Sequence, residues 1–228
     1  YLQQMKQPLL FFLLSFFFFI SAAQPLAIHE SPVNPKANTY AVVIGISNYL
    51  DSSINLEFSN RDAGIFADFL MSPSGGSVPK QNIKLLIDAE ATAGEVDKAI
   101  RWLMNNCRKD DNVFFYFSGH GALENVTMYK NGYLICYNTP PVAFVNMALS
   151  IEYLNDVINT LSVQTNANVI VITDACHSGK MTGSKFKGNY LVGEQLLAAK
   201  QKEIRMASCT PDQLSNEKKD WGGGRGVF

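Results

Sequence analysis

The sequence predicts an α/β protein with a mainly parallel sheet and helices on both faces. Short β-branched apolar runs alternate with stretches of helical period along most of the chain. The run Val169, Ile170, Val171, Ile172 is apolar throughout and too short for a helical pattern, so it reads as a strand buried on both faces. Strand, helix and strand in succession require crossover connections, and these make neighbouring strands parallel.

The amino-terminal residues stand outside this pattern. Met5 and Lys6 are followed by PLLFFLLSFFFFI and then SAAQ. That is the order of a signal peptide over residues 1–23, cut after Ala23, with residues 1–4 upstream of the expected initiator Met5. The apolar block is shorter than the about 20 residues that span a bilayer, which makes an uncleaved anchor the lesser reading. The mature protein is therefore expected to leave the cytoplasm, as a secreted or periplasmic protein. Residues 24–38 carry three prolines and few apolar side chains and read as a linker, in which His29 has no assigned role.

Residues 39–228 are expected to form one domain. The chain of 228 residues is 47% apolar and 17% charged, enough to bury one sizeable core. Lys and Arg number 19 against 20 Asp and Glu, so no basic field points to nucleic acid, and a peptide or small molecule is the expected partner.

Strands are predicted at 40–46, 82–87, 112–119, 133–137, 169–173 and 203–208. Helices are predicted near 60–71, 93–107 and 150–161. The second helix opens with Thr92 and Glu95 at capping-box spacing and sets Val96, Ile100, Leu103 and Met104 on one face. The third carries Leu154, Val157, Ile158 and Leu161.

Cysteine usage does not suggest a disulfide framework. Cys107, Cys136, Cys176 and Cys209 are spread through a domain large enough to need no staples, and a free thiol at Cys176 leaves an odd number to pair.

The chemistry gathers at two strand ends. FSGHG follows one predicted strand and DACHSG another, so His120 and Cys176 each lie just past the end of a strand, where open α/β sheets bind ligands. If the two strands are neighbours, thiol and imidazole can meet, and such a pair forms an activated nucleophile. Glycines beside His120, and Gly179, permit tight turns and close approach of a substrate backbone. The backbone N–H groups of Gly121 and Cys176 are candidate oxyanion donors.

Other readings compete. A lone Cys is commonly a small buried hydrophobe. A metal site from His120, Cys176 and His177 is disfavoured because adjacent side chains of an extended chain point apart, which also removes His177 as the base. A nucleotide-binding domain lacks its glycine pattern after the first strand.

These segments together resemble the caspase-like cysteine peptidases, nearer to metacaspases and their bacterial relatives than to animal caspases. YAVVIGISNY, NRDAGIFADFL, FFYFSGHG, VITDACHSG and SCTPDQLSNE carry the resemblance. The caspase signature has its His about 50 residues before the Cys, and here 56 separate His120 from Cys176. The resemblance implies a caspase-like three-layer sandwich and a Cys-His endopeptidase. It also implies an acidic substrate pocket from Asp62, Ser118 and Asp174, since relatives with Asp at the matching position cleave after Arg or Lys, whereas animal caspases have Gln there. A carboxylate in a partly dehydrated pocket favours a cation and rejects an anion. The plainer readings are that Asp62 answers a helix dipole near Ser59 and that Asp174 caps a turn.

Two departures from the family follow. Relatives that bind activating calcium use several Asp residues after the His, but ALENVTMYKNGYLICYNTPP has one Glu and no Asp, so no cofactor is expected to be required. Relatives also continue past GGGRGVF, which suggests a domain incomplete at its carboxyl end. Lys180, Lys185, Lys187, Lys200 and Lys202 are candidate self-cleavage sites or, alternatively, a solvated loop. A noncatalytic or latent peptide-binding module is the rival function.

Overall fold

A computed structural model describes residues 37–124, 128, 131–140, 144–175, 202–208, 217, 218, 225 and 226. The signal-peptide reading and most of the linker lie outside them. No helix among the described residues is long and apolar enough to cross a membrane.

The central sheet is built from five of the predicted strands: β1 (Thr39–Gly45), β2 (Ile83–Ile87), β3 (Asn112–Ser118), β7 (Asn168–Asp174) and β8 (Glu203–Ala207). Among the described residues these five strands are all parallel, in the order β2-β1-β3-β7-β8. The α/β fold and its mainly parallel sheet are thus as expected. From β1 the chain moves outward to β2 through helix α1 (Ser59–Met71), then returns past β1 to β3 through α2 (Ala93–Asn106). Right-handed crossovers in opposite directions put α1 and α2 on opposite faces. The loops leaving β1 and β3 therefore part at the point where strand order reverses.

Alternation sorts the core. Val113, Phe115, Phe117, Val169 and Val171 face α2 and α3 (Ile151–Asn159), meeting Val96, Ile100, Leu103, Leu154 and Ile158. Tyr116 and Ile172 face the other way, toward Ala63, Ala67 and Leu70 of α1. Full burial of one such large apolar side chain contributes about 1.5–3 kcal/mol.

Local chemistry adjusts the predicted boundaries. Thr92 caps α2 by accepting from the Glu95 N–H at 3.3 Å, while the Glu95 carboxylate pairs with Lys98. Met104, expected on the buried face, is 38% exposed. Ser59 is the first residue of α1 and not its cap, which is Phe58, and the Ser59 side chain is buried instead. Ser150 caps α3 by accepting from the Tyr153 N–H, and the helix runs on into a π turn at Thr160–Gln164.

The strand expected at 133–137 belongs elsewhere. It is β5 (Gly132–Leu134), the centre of a separate antiparallel sheet with β4 (Gly121–Leu123) and β6 (Leu149–Ser150). A short apolar run shows that a strand forms but not which sheet receives it. Residues 217–218 (β9) and 225–226 (β10) form a further antiparallel pair.

Gly45 closes β1 against the start of α1. A Cβ there would lie 2.4 Å from both the Ser59 carbonyl oxygen and the Ala63 Cβ, and backbone cannot swing aside as a flexible side chain can. Gly45→Ala is expected to destabilise the domain by about 1–3 kcal/mol, the usual range for overpacking. Thermal or urea unfolding measures this, and an unchanged midpoint would contradict the close approach.

Candidate active site

β3 ends at Ser118, and Gly119 and His120 follow before the chain turns into β4. His120 is fully buried. Its backbone N–H donates to the Tyr49 hydroxyl at 2.8 Å, and the two rings lie 5.2 Å apart. Its Nε2 is 2.7 Å from the Ile54 carbonyl oxygen. A carbonyl only accepts, so Nε2 carries the donated proton and the proton-exchanging position of the neutral ring is Nδ1. Tyr49 and Ile54 both belong to the loop after β1, so the two loops that part at the reversal of strand order meet again at this imidazole.

Gly119 has a reason other than a tight turn. A Cβ on it would lie 2.7 Å from the Tyr49 hydroxyl oxygen, so a side chain there would push Tyr49 away from His120. Gly121 opens β4. Ile135 donates its N–H to the His120 carbonyl at 2.9 Å, and Gly121 pairs with Leu134. Antiparallel pairs alternate between hydrogen-bonded and non-hydrogen-bonded positions, so the Gly121 N–H points away from β5.

β3 and β7 are neighbours, with Ser118 directly opposite Asp174. Gly119 N–H donates to the Asp174 carbonyl at 3.0 Å and locks the two strand ends level. The chain is described as far as Ala175, which is buried. Cys176, His177, Gly179, Lys180, Lys185, Lys187, Lys200 and Cys209 lie outside the described residues. Lys202 is described, and it sits just before β8 at the opposite end of the sheet from His120. Its side chain is 4.0 Å from Asp110, and its carbonyl accepts from the Val169 N–H.

The three acidic-pocket candidates come together. Ser118 and Asp174 are side by side in register and buried, and Asp62 lies in the first turn of α1, half-buried, over the same face of the sheet. Tyr116, two residues before Ser118 and so on the same face, stacks on Phe66 of α1 at 4.7 Å. Burial and then the charges of Asp62 and Asp174 push the Tyr116 hydroxyl well above the ordinary phenol range, with Ser118 acting in the opposite direction. One phenol thus senses all three candidates.

Sequence reasoning missed Tyr49, the Ile54 carbonyl and Tyr116. Period-two alternation from Ser118 could have found Tyr116. A backbone carbonyl such as that of Ile54 leaves no signal in residue type.

The described cysteines are poor nucleophiles. Burial, with a smaller contribution from Asp111, pushes the Cys107 thiol up to about 11, and burial pushes that of Cys136 up to about 12. The expectation about calcium concerns the segment after His120, which is described only in part. Its Glu124 is buried and accepts from the Asn131 N–H, and no group of three His, Cys, Asp or Glu that could hold a metal occurs among the described residues. Calcium takes six to eight oxygens.

The family model of the caspase domain, Peptidase_C14, matches residues 38–224. The chain belongs to the caspase-domain family. It is similar to Metacaspase-3 of Arabidopsis thaliana, 28% identical over 67% of this chain and 43% of that protein. It is also similar to Metacaspase-2 of the same plant, 30% identical over 61% of this chain and 34% of that protein. This caspase domain therefore spans less than half the length of these curated relatives. Its fold is like that of the solved protein GSU0716 from Geobacter sulfurreducens, with a TM-score of 0.52, 15% identity, and coverage of 84% of this chain and 78% of that one.

Native protein treated with iodoacetamide at neutral pH should leave Cys107 and Cys136 unmodified, at least about a hundredfold slower than an unperturbed thiol, because the thiolate is the reacting form. Peptide mass spectrometry before and after denaturation reads this. Rapid labelling of either in the native state would show that the burial is wrong.

Proposed function

We propose that this caspase domain is a cysteine endopeptidase that cleaves after Arg or Lys, with Cys176 as nucleophile and His120 as its acid-base partner. The observation that carries the reading is the meeting of Asp62, Ser118 and Asp174 on one face of the sheet, at the strand ends from which His120 and Cys176 follow.

His120 Nδ1 takes the Cys176 proton, and the thiolate attacks the carbonyl carbon of the scissile peptide bond. Charge developing on the carbonyl oxygen rests on the backbone N–H groups of Gly121 and Cys176. The tetrahedral intermediate collapses with breakage of the C–N bond, and the leaving amine takes the proton from His120. A water molecule, giving its proton to His120, then releases the acyl group from sulfur. The hydrogen bond from Nε2–H to the Ile54 carbonyl keeps Nδ1 as the working nitrogen and stabilises the imidazolium between the two transfers.

Specificity follows from charge. Two carboxylates on a face made drier by Phe66 and Tyr116 attract a guanidinium or ammonium group strongly and repel an acidic side chain. The same preference makes Lys180, Lys185, Lys187 and Lys200 candidate self-cleavage positions. Lys202 is a weaker one, because its carbonyl is bound to the β7 backbone and must be released before attack. The apolar leader supports action outside the cytoplasm, on protein substrates there.

The test is hydrolysis of matched fluorogenic peptides with Arg, Lys or Asp before the scissile bond, with and without calcium. Cleavage after Arg and Lys is expected, with no need for calcium and none in Cys176→Ala. Asp174→Asn should lower kcat/KM on basic peptides by about a hundredfold, the scale for removing one partner of a buried charge pair. Cleavage only after Asp would overturn the pocket, and silence from folded protein would favour a peptide-binding module.

A further inference from the structure

Asp88 is the first residue after β2, and its backbone is left-handed, at φ +49°. Asp and Asn tolerate that region better than other side chains that carry a Cβ. Its carboxylate gathers four donors. Oδ1 accepts the N–H groups of Ser47 and Asn48 at 2.8 and 2.9 Å, and Oδ2 accepts the side-chain amides of Asn48 and Asn60, each at 2.8 Å. Burial works against the charge, but the bonds from Asn48, Asn60 and Ser47 prevail and hold the carboxyl below its ordinary range.

These donors bracket the loop between β1 and α1. Inside the bracket the loop is tied to itself: Ser47 accepts from the Leu56 and Asn60 N–H groups through its carbonyl and hydroxyl, and Asn55 Oδ1 accepts the Tyr49 N–H at 2.8 Å. The loop presents to His120 the Tyr49 hydroxyl and the Ile54 carbonyl. Asn48, next to Tyr49, is held by Asp88 at both its backbone and its side chain.

We propose that Asp88 is a positioning residue for His120: its carboxylate fixes the loop after β1 so that Tyr49 and Ile54 hold the imidazole by its backbone and its Nε2. The kinetic arm of the test rests on the peptidase reading above, and the spectroscopic arm does not.

The experiment compares the full chain with Asp88→Asn, Asp88→Gly and Asn48→Ala. Asn at 88 keeps the backbone conformation and one acceptor but sets an amide NH2 against those of Asn48 and Asn60. Gly at 88 keeps the conformation and removes all four bonds, while Asn48→Ala removes one and leaves the carboxylate in place. For variants still folded at the assay temperature, kcat on the Arg peptide is expected to fall about tenfold in Asp88→Asn and about a hundredfold in Asp88→Gly, with a smaller rise in KM. Asn48→Ala should fall between wild type and Asp88→Asn.

In parallel, the Nε2–H signal of His120, assigned by its loss in His120→Gln, should be slow to exchange in wild type. It should shift and exchange faster in the Asp88 variants. Folded Asp88→Asn with wild-type kcat, or with an unmoved Nε2–H signal, overturns the proposal. Should Asp88→Gly not fold, Asp88→Asn and Asn48→Ala decide by the same readings. If wild type itself hydrolyses nothing, the peptidase reading fails, and the Nε2–H signal alone still decides the role of Asp88.

Discussion

The site depends on the parallel pairing of β3 between β1 and β7. That pairing sets Gly45, Ser118 and Asp174 level across three strands, so whatever follows each strand starts from the same edge of the sheet. Parallel strands bonded at every residue cannot slip by one without turning their whole apolar set to the wrong face. The depth of the core thus fixes the height of the site. Val42, Val43, Phe115, Phe117 and Val171 are all nearly inaccessible to solvent, and the chemistry begins two or three residues beyond them.

Polar groups buried beside that core have to be compensated locally, since an unbonded buried polar group costs about 1–3 kcal/mol. His120 is compensated by backbone and hydroxyl, with its N–H on Tyr49, its Nε2 on Ile54 and its carbonyl accepting from Ile135. None of these partners is a carboxylate. Asp62 and Asp174 stand together around Tyr116 on the α1 face.

Much of this was legible in the sequence because it is local or periodic. Short runs of strand composition located the five parallel strands, whereas the alternation along 112–118 and 168–174 that sorts residues between the two faces went unused. His120 could be placed because one strand end locates it. What escaped was set by three-dimensional partners with no periodic trace. Tyr49 and Ile54 act from an irregular loop 66–71 residues before His120, through a hydroxyl and a backbone carbonyl. The run near Tyr133 reads equally well as a strand of either sheet, and only the turn after His120 sends it to the antiparallel one. Ser59 has the residue type of a cap, but the cap position is Phe58 and Ser59 is the first helical residue, with its carbonyl oxygen close against Gly45.

The loop after β1 shows how an irregular segment acquires rigidity. Between Ser47 and Phe58 only Ser52–Ile54 is helical, as a single 3₁₀ turn, so neither a ladder nor a helix spreads the load. Its order comes from a few side-chain oxygens: Asp51 accepts from the Ser53 N–H, Asn55 from that of Tyr49, Ser47 from that of Asn60, and Asp88 from four donors at once. Apolar packing tolerates substitution by residues of similar volume, but a hydrogen-bonded loop does not, because each acceptor serves a donor that no neighbour can take over. The residues that hold such a loop are mostly small and polar, which in sequence look like ordinary loop composition. Position in the network, and not residue type, separates Asp88 from the solvated aspartates.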